Sequence, residues 1–270
     1  NFAMTIQKND SDPLGPIVLT HTSSGANATI YPFGATVTSY KTCSGRELLF
    51  VSRTAKLDGS KAIRGGIPLV FPQFGRPDQS MPQHGFLRCN LWKVGNTYEE
   101  GDDACSCVDL SLSLKDVVAA RGGEWDVGTE RDCTVTLTVK VYPSSFTTTM
   151  TVVNSGSVAF PYQALFHTYY AISGQSALNG DVCNVKGLAG YEYLDQLTAK
   201  SHVQNDEPIT IGGEVDRIYS HPTQTDIDVV ISTGVGTSVA LKSSAFVTKL
   251  NGDNIVAPVG VVVWNPFIEK

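Results

Sequence analysis

Cys133-Thr134-Val135-Thr136-Leu137-Thr138-Val139-Lys140-Val141 decides the fold class. Apolar residues at 133, 135, 137, 139 and 141 alternate with threonines and a lysine. Successive side chains of a strand face opposite ways, so this run has one apolar and one polar face. Pro143-Ser144-Ser145 then supplies a turn, and the Thr-rich run Phe146 to Val153 follows it, so the pair reads as an antiparallel hairpin. The same period recurs at Val108, Leu110, Leu112 and Leu114, and again at Ile227, Val229 and Ile231. Val259 to Trp264 is a further strand candidate. Helical spacing is nearly absent, apart from one short turn expected over Lys115 to Ala120. Many short strands with Gly and Pro punctuation predict a large antiparallel β-sandwich or barrel. No repeat, low-complexity segment or composition shift marks a linker, so one domain over 1–270 is expected.

Composition agrees. The chain has 270 residues, of which 41% are apolar and only 17% charged, the opposite of the balance that keeps a chain disordered. Net charge is −6, which gives no basic face for nucleic acid. Mean hydropathy is −0.03, and no run of about 18 apolar residues predicts a membrane span. The six cysteines show no Cys-x-x-Cys and no zinc spacing with histidine, and read as reduced structural thiols in a cytoplasmic protein. No Gly-x-Gly-x-x-Gly, P-loop or Gly-x-Ser-x-Gly pattern is present, so neither a nucleotide cofactor nor an α/β-hydrolase is predicted. No cofactor and no metal are expected.

Ile63 to Gly75 and Met81 to Arg88 break the alternation. They carry Arg64, Gln83, His84 and Arg88 among Gly, Pro and apolar neighbours. Two arginines on a rigid loop pair can converge on an anion, since the guanidinium fork suits phosphate. They can equally be surface residues paired with Asp or Glu. His167 stands in the aromatic run Pro161 to Tyr170, as a satisfied core histidine or as a general acid facing a sugar-sized cleft. Glu214 and Asp216 follow Gly212-Gly213, where a carboxylate can accept sugar hydroxyls or pair with Arg217 in a turn. His21, His202 and His221 sit in polar contexts and read as surface residues.

Several stretches taken together are recognisable. Ala55 to Lys61, Arg64 to Gly75, Pro82 to Arg88, Leu165 to Tyr169, Tyr193 to Leu197, Glu214 to Tyr219 and Trp264 to Lys270 resemble, in order, the hexose-6-phosphate mutarotases, the glucose-6-phosphate 1-epimerase branch of the aldose 1-epimerase superfamily. The resemblance implies an all-β supersandwich of galactose mutarotase-like type. It also implies an isomerase that interconverts α and β anomers of a hexose 6-phosphate, working as a monomer. It gives Arg64 and Arg88, with Gln83 beside them, to the phosphate. His84 then contacts the sugar, Asp216 binds its hydroxyls, and His167 is the general acid that protonates the ring oxygen.

One element of the family pattern is missing. Its catalytic base is a glutamate in a Glu-Pro-Gly-His type motif on strands after the Trp-Asn-Pro segment, and no such motif occurs here. Neither Glu269 nor Asp195 takes that role by resemblance. The expectation is therefore a chain lacking its C-terminal strands. The alternatives are a non-catalytic phosphosugar-binding protein and an aldose 1-epimerase for unphosphorylated sugars.

Overall fold

The computed structural model describes residues 5–7, 12, 14–101, 105–118, 121–126, 128–172, 175–249 and 251–267. The chain forms two compact units, Asn1–Ala171 and Ile172–Lys270. Among the described residues all regular structure is strand, apart from short 3-10 turns such as Leu87–Cys89, Leu114–Asp116 and Gly123–Trp125. The turn expected over Lys115 to Ala120 is the one at Leu114–Asp116; Ala119 and Ala120 lie outside the described residues.

In the first unit, β1 (Thr5–Gln7), β2 (Ile17–Thr20), β3 (Asn27–Tyr31) and β4 (Thr36–Lys41) form an antiparallel meander. β5 (Leu69–Val70) follows after a long irregular stretch. β6 (Lys93–Glu100), β7 (Cys105–Ser113), β8 (Cys133–Val141) and β9 (Phe146–Asn154) form a second antiparallel sheet in sequential order. β10 (Leu165–Phe166) returns to pair antiparallel with β5.

The deciding run is β8. Its odd positions are buried throughout and its even positions half-exposed. The hairpin closes at Val141 opposite Phe146, with Tyr142 N donating to Ser145 O at 2.9 Å. Leu137, 1% exposed, lies opposite Leu110 on β7 and Met150 on β9. The two sheets are tied by polar contacts at their margins. The Tyr40 hydroxyl lies 2.9 Å from Ser145 O and 3.1 Å from Tyr142 O, and Ser106 Oγ donates to Thr20 O at 2.9 Å. Burial, with Cys43 adding to it, pushes the Tyr40 phenol up to about 12, so it remains a donor.

The second unit contains β11 (Cys183–Lys186), β12 (Glu192–Asp195), β13 (Lys200–Val203), β14 (Ile209–Thr210), β15 (Val215–Ser220), β16 (Asp226–Thr233), β17 (Ser238–Thr248), β18 (Asn254–Ala257) and β19 (Val261–Asn265). They make two antiparallel sheets, ordered β14-β11-β16-β17-β18 and β13-β12-β15-β19. Leu188, Tyr191, Ile209, Tyr219, Ile227 and Val229 form its buried core. The alternation read at Ile227 and Val229 is the inward face of β16.

His21 corrects a sequence expectation. It is 1% exposed, not on the surface. Its Nδ1 lies 2.8 Å from Ser24 Oγ, and its backbone pairs with Ala26 and Gly25 across a tight turn. The polar neighbours that suggested solvent are its hydrogen-bond partners. All six cysteines are free thiols, four of them buried. Among the described residues no helix is long and apolar enough to cross a membrane.

Replacing Leu137 by Ala leaves a cavity where three strands meet and is expected to cost about 2–5 kcal/mol of stability, read as a lowered urea midpoint. The exposed neighbour change Thr149→Ala serves as the control, expected to stay within about 0.5 kcal/mol.

Candidate active site

Three chain segments of the first unit meet through a closed set of backbone hydrogen bonds. Phe50 N donates to Tyr169 O (2.9 Å), Tyr169 N to Gly66 O (2.8 Å) and Gly66 N to Phe50 O (2.8 Å). His167 N extends the set by donating to Pro68 O at 3.0 Å. The approach needs glycine. Gly66 has φ +64°, and a Cβ there would sit 2.1 Å from Val37 O. At Gly85, φ +72°, a Cβ would fall 1.9 Å from Phe71 O.

The loop between them is fixed from inside. The buried Gln73 amide donates to Asp78 O and Pro82 O, both at 3.2 Å, and accepts from Asp78 N at 2.9 Å. Asn90 Nδ2 and Trp92 Nε1 donate to Phe86 O (2.7 Å) and Leu87 O (3.0 Å), holding the turn that carries Arg88. Phe71, Phe86, Trp125 and Phe160 pack edge-on beside it, with centroids 4.7–6.1 Å apart.

On this frame the ionisable groups converge. His84 is 9% exposed and has φ +67°. Its Nδ1 accepts a hydrogen bond from Gly75 N at 3.0 Å, and the backbone N–H of His84 donates back to Gly75 O at 2.6 Å. A backbone N–H can only donate, so the ring proton of neutral His84 is on Nε2. The ring meets His167 edge-on, with centroids 5.6 Å apart at 71°. His167 in turn stacks on Tyr169, at 5.0 Å and 19°. Burial pushes His84 down to about 4, with Arg88 and His167 adding to the effect. Burial also lowers His167, and Arg88 lowers it further, against an opposing backbone hydrogen bond.

Arg88 is the unbalanced member. It is half-buried, and burial lowers its own pKa. Nη2 donates to Gln83 O at 2.9 Å, while Nε is buried with no hydrogen-bond partner. Among the described residues no carboxylate forms an ion pair with it. A buried cationic donor left unmet is costly. Burial raises the Tyr169 phenol, and both Arg64 and Arg88 pull it down, so both guanidinium charges act on this hydroxyl.

Arg64, Gln83, His84, Arg88 and His167 thus belong to the first unit. Arg64 is exposed, and the Gln83 side chain is exposed while its carbonyl serves Arg88. Asp216 lies in the second unit, half-buried on β15 opposite Trp264, its carbonyl accepting from Gln196 N at 2.8 Å. Arg217 pairs with Asp195 at 3.4 Å and lies 4.9 Å from the Tyr193 ring centre. Asp195 also accepts from Leu197 N and Thr198 N, which makes it a turn residue. Two participants were not singled out in the sequence, Tyr169 and Gly75. The spacing His167-x-Tyr169 on an extended segment carried a signal for the first; the second acts through its backbone and left none.

The sequence pattern of the aldose 1-epimerase family matches residues 16–266, across both units. The chain belongs to the aldose 1-epimerase family. A relative from Cenchrus ciliaris, named "Putative glucose-6-phosphate 1-epimerase", is 32% identical over 248 residues, covering 90% of this chain and 68% of the relative. A protein of the same name from Escherichia coli is 25% identical over 234 residues, covering 82% and 69%. The solved structure of a galactose mutarotase-like protein from Clostridium acetobutylicum is similar with a TM-score of 0.66 at 17% identity, over 90% of this chain and 81% of that one. The fold is all-β, as the alternation predicts, and of the galactose mutarotase-like type that the family resemblance implies, and membership of an aldose 1-epimerase family makes the protein a sugar isomerase.

The neutral His84 has a cost in acid. Its folded pKa, about 4, lies below the ordinary 6.5, so the unfolded chain takes up a proton that the folded one refuses. This contribution is intact above pH 6.5 and lost as pH falls towards 4. For His84 it amounts to about 3 kcal/mol, with His167 acting in the same sense. Urea midpoints across that window are expected to fall less steeply in His84→Asn, since asparagine tolerates the positive φ.

Proposed function

We propose that this aldose 1-epimerase interconverts the α and β anomers of a hexose 6-phosphate, with glucose 6-phosphate as first candidate. The observation that carries the reading is the Arg88 guanidinium, half-buried, with a buried partnerless Nε, whose charge acts together with that of Arg64 on Tyr169. A phosphate supplies what that group lacks, negative charge and several acceptor oxygens. The names of the relatives from Cenchrus ciliaris and Escherichia coli point the same way.

In this reading Arg64 and Arg88 hold the phosphate, with Gln83 beside them, and orient the sugar away from the bond that breaks. His84 offers its Nε2–H to the sugar as a neutral donor. His167 gives a proton to the ring oxygen, the C1 hydroxyl loses one to a base, the ring opens, the C1–C2 bond turns, and closure returns both protons. Asp216 binds sugar hydroxyls. None of residues 1–270 is assigned as the base. An acid and a base suffice for this chemistry, and the reading involves no cofactor or metal. It places the enzyme in the cytoplasm as a monomer, with both units part of one domain, as the single family pattern over 16–266 supports.

Exchange NMR between the anomers of glucose 6-phosphate, with the full-length protein, tests the proposal. Arg88→Ala is expected to lower kcat/KM by about 10- to 150-fold, the equivalent of about 1.5–3 kcal/mol for a charged hydrogen bond, with a smaller loss on glucose. His167→Asn is expected to lower kcat by about 10²–10⁴-fold. Exchange no faster than the spontaneous rate, with binding intact, would favour a phosphosugar-binding protein. Equal turnover of glucose and glucose 6-phosphate would favour an epimerase of unphosphorylated sugars.

A further inference from the structure

Gln163 is exposed and lies a few residues before His167, the proposed acid. The stretch between them is paired with residues 68–72. His167 N donates to Pro68 O at 3.0 Å, Phe166 and Leu165 pair with Leu69 and Val70, and Gln163 N donates to Pro72 O at 2.8 Å. The ladder cannot continue from Pro72, which has no N–H to give. The Gln163 side chain carries it one step further, since its Oε1 accepts from Phe74 N at 3.0 Å. A backbone N–H can only donate, so the atom facing it is the amide oxygen.

Phe74 and Gly75 both bear on His84. The Phe74 ring is tilted over the imidazole, with centroids 5.4 Å apart at 33°, and Gly75 N donates to Nδ1 at 3.0 Å. The two amides are consecutive, so hydrogen bonds run from Gln163 through neighbouring peptide groups to the imidazole. Gly75 has φ +70° and no side chain of its own to fix the direction of its amide. An anchor on the preceding amide supplies that direction. Arg88, from the turn that follows, and His167, from the paired segment, also act on the ring and disfavour its charged form. The Gly75 amide decides which nitrogen of the neutral ring holds the proton.

We propose that Gln163 is a positioning residue for His84: by holding the Phe74 amide it keeps the Gly75 amide aimed at His84 Nδ1, and so keeps the imidazole proton on Nε2. This rests on the reading above, in which His84 offers its Nε2–H to the sugar. Gln163 then ties the loop that carries the donor to the segment that carries the acid, and sets the donor's tautomer from that segment.

Nitrogen NMR of labelled histidine in the full-length protein tests this, with His84→Asn to assign the signal. In the unaltered protein His84 is expected to be wholly the Nε2–H tautomer. In Gln163→Leu, which removes the acceptor at similar size, the signal is expected to average between the two tautomers. The same variant is expected to lower kcat/KM on glucose 6-phosphate by about 2- to 10-fold, the equivalent of one net hydrogen bond. Gln163→Glu keeps an acceptor for Phe74 N and is expected to restore both. A glutamine that only stabilised the loop would lower the urea midpoint and leave the tautomer alone. A pure Nε2–H signal in Gln163→Leu, or an averaged one that persists in Gln163→Glu, overturns the proposal whatever the activity. A tautomer that moves as expected, in a protein that does not interconvert the anomers, upholds the effect of Gln163 on His84 and overturns the phosphosugar reading instead. Should Gln163→Leu not fold, amide exchange in the unaltered protein decides: slowed exchange at Phe74 supports the proposal, and exchange at the rate of a free amide overturns it.

Discussion

Three backbone hydrogen bonds, from Phe50 to Tyr169, from Tyr169 to Gly66 and from Gly66 back to Phe50, close a cycle on which the site in the first unit depends. Three stretches distant in sequence meet there, each giving one donor and one acceptor, so no polar backbone group in the cycle is left unmet. Arg64 stands two residues before Gly66, His167 two residues before Tyr169, and Tyr169 is itself a member. The cycle therefore sets where an arginine, a histidine and a tyrosine stand relative to one another. It closes only because residue 66 has no side chain, since any Cβ would collide with the Val37 carbonyl. Two glycines in a row at 65–66 are a packing requirement first and a functional feature by consequence.

Around that cycle the protein accepts local cost. A half-buried guanidinium with an unmet donor opposes stability, and two histidines held neutral oppose it in acid. The regular part of the first unit has no such conflict, because every inward position of β8 is apolar and buried. This division is physically sensible. The sheets supply stability that a rigid loop then uses to hold side chains in an arrangement they would not adopt unaided.

The two parts were legible in the sequence to different degrees for the same reason. Alternation in β8 and the turn at Pro143 fix a hairpin register because each residue's environment follows from its parity. No such rule governs residues 63–88. Their Gly and Pro content announces an irregular path but not its course, so the residues alone left Arg88 equally readable as a surface ion-pair partner; the family resemblance was needed to favour an anion. His21 shows the converse error. Its polar neighbours are real, yet they turn inward and bond to it, and short-range polarity cannot distinguish a solvated turn from a self-satisfied one. The sequence offered Arg217 a turn partner in the Glu214 to Asp216 segment, and strand pairing adds Asp195, directly opposite it and 22 residues away. Contacts made across strands by residues far apart in sequence are those a linear reading sees least.

His84 and His167 make the point most sharply. Both stand next to aromatic residues, both are depressed by burial, and both feel Arg88. His84 is further constrained by a single amide. Gly75 N–H occupies one nitrogen of His84 and confines its proton to the other, so this ring can donate but cannot readily become a cation. The constraint also accounts for the unusual backbone, because φ of +67° at residue 84 and +70° at residue 75 bring two mutually bonded residues face to face across the loop. Left-handed conformation at a histidine is strained, and the paired hydrogen bonds with Gly75 offset it. Protonating Nδ1 would set two hydrogens against each other and undo the paired contact with Gly75, so His84 serves the site as a neutral donor and holds the loop by the same bond.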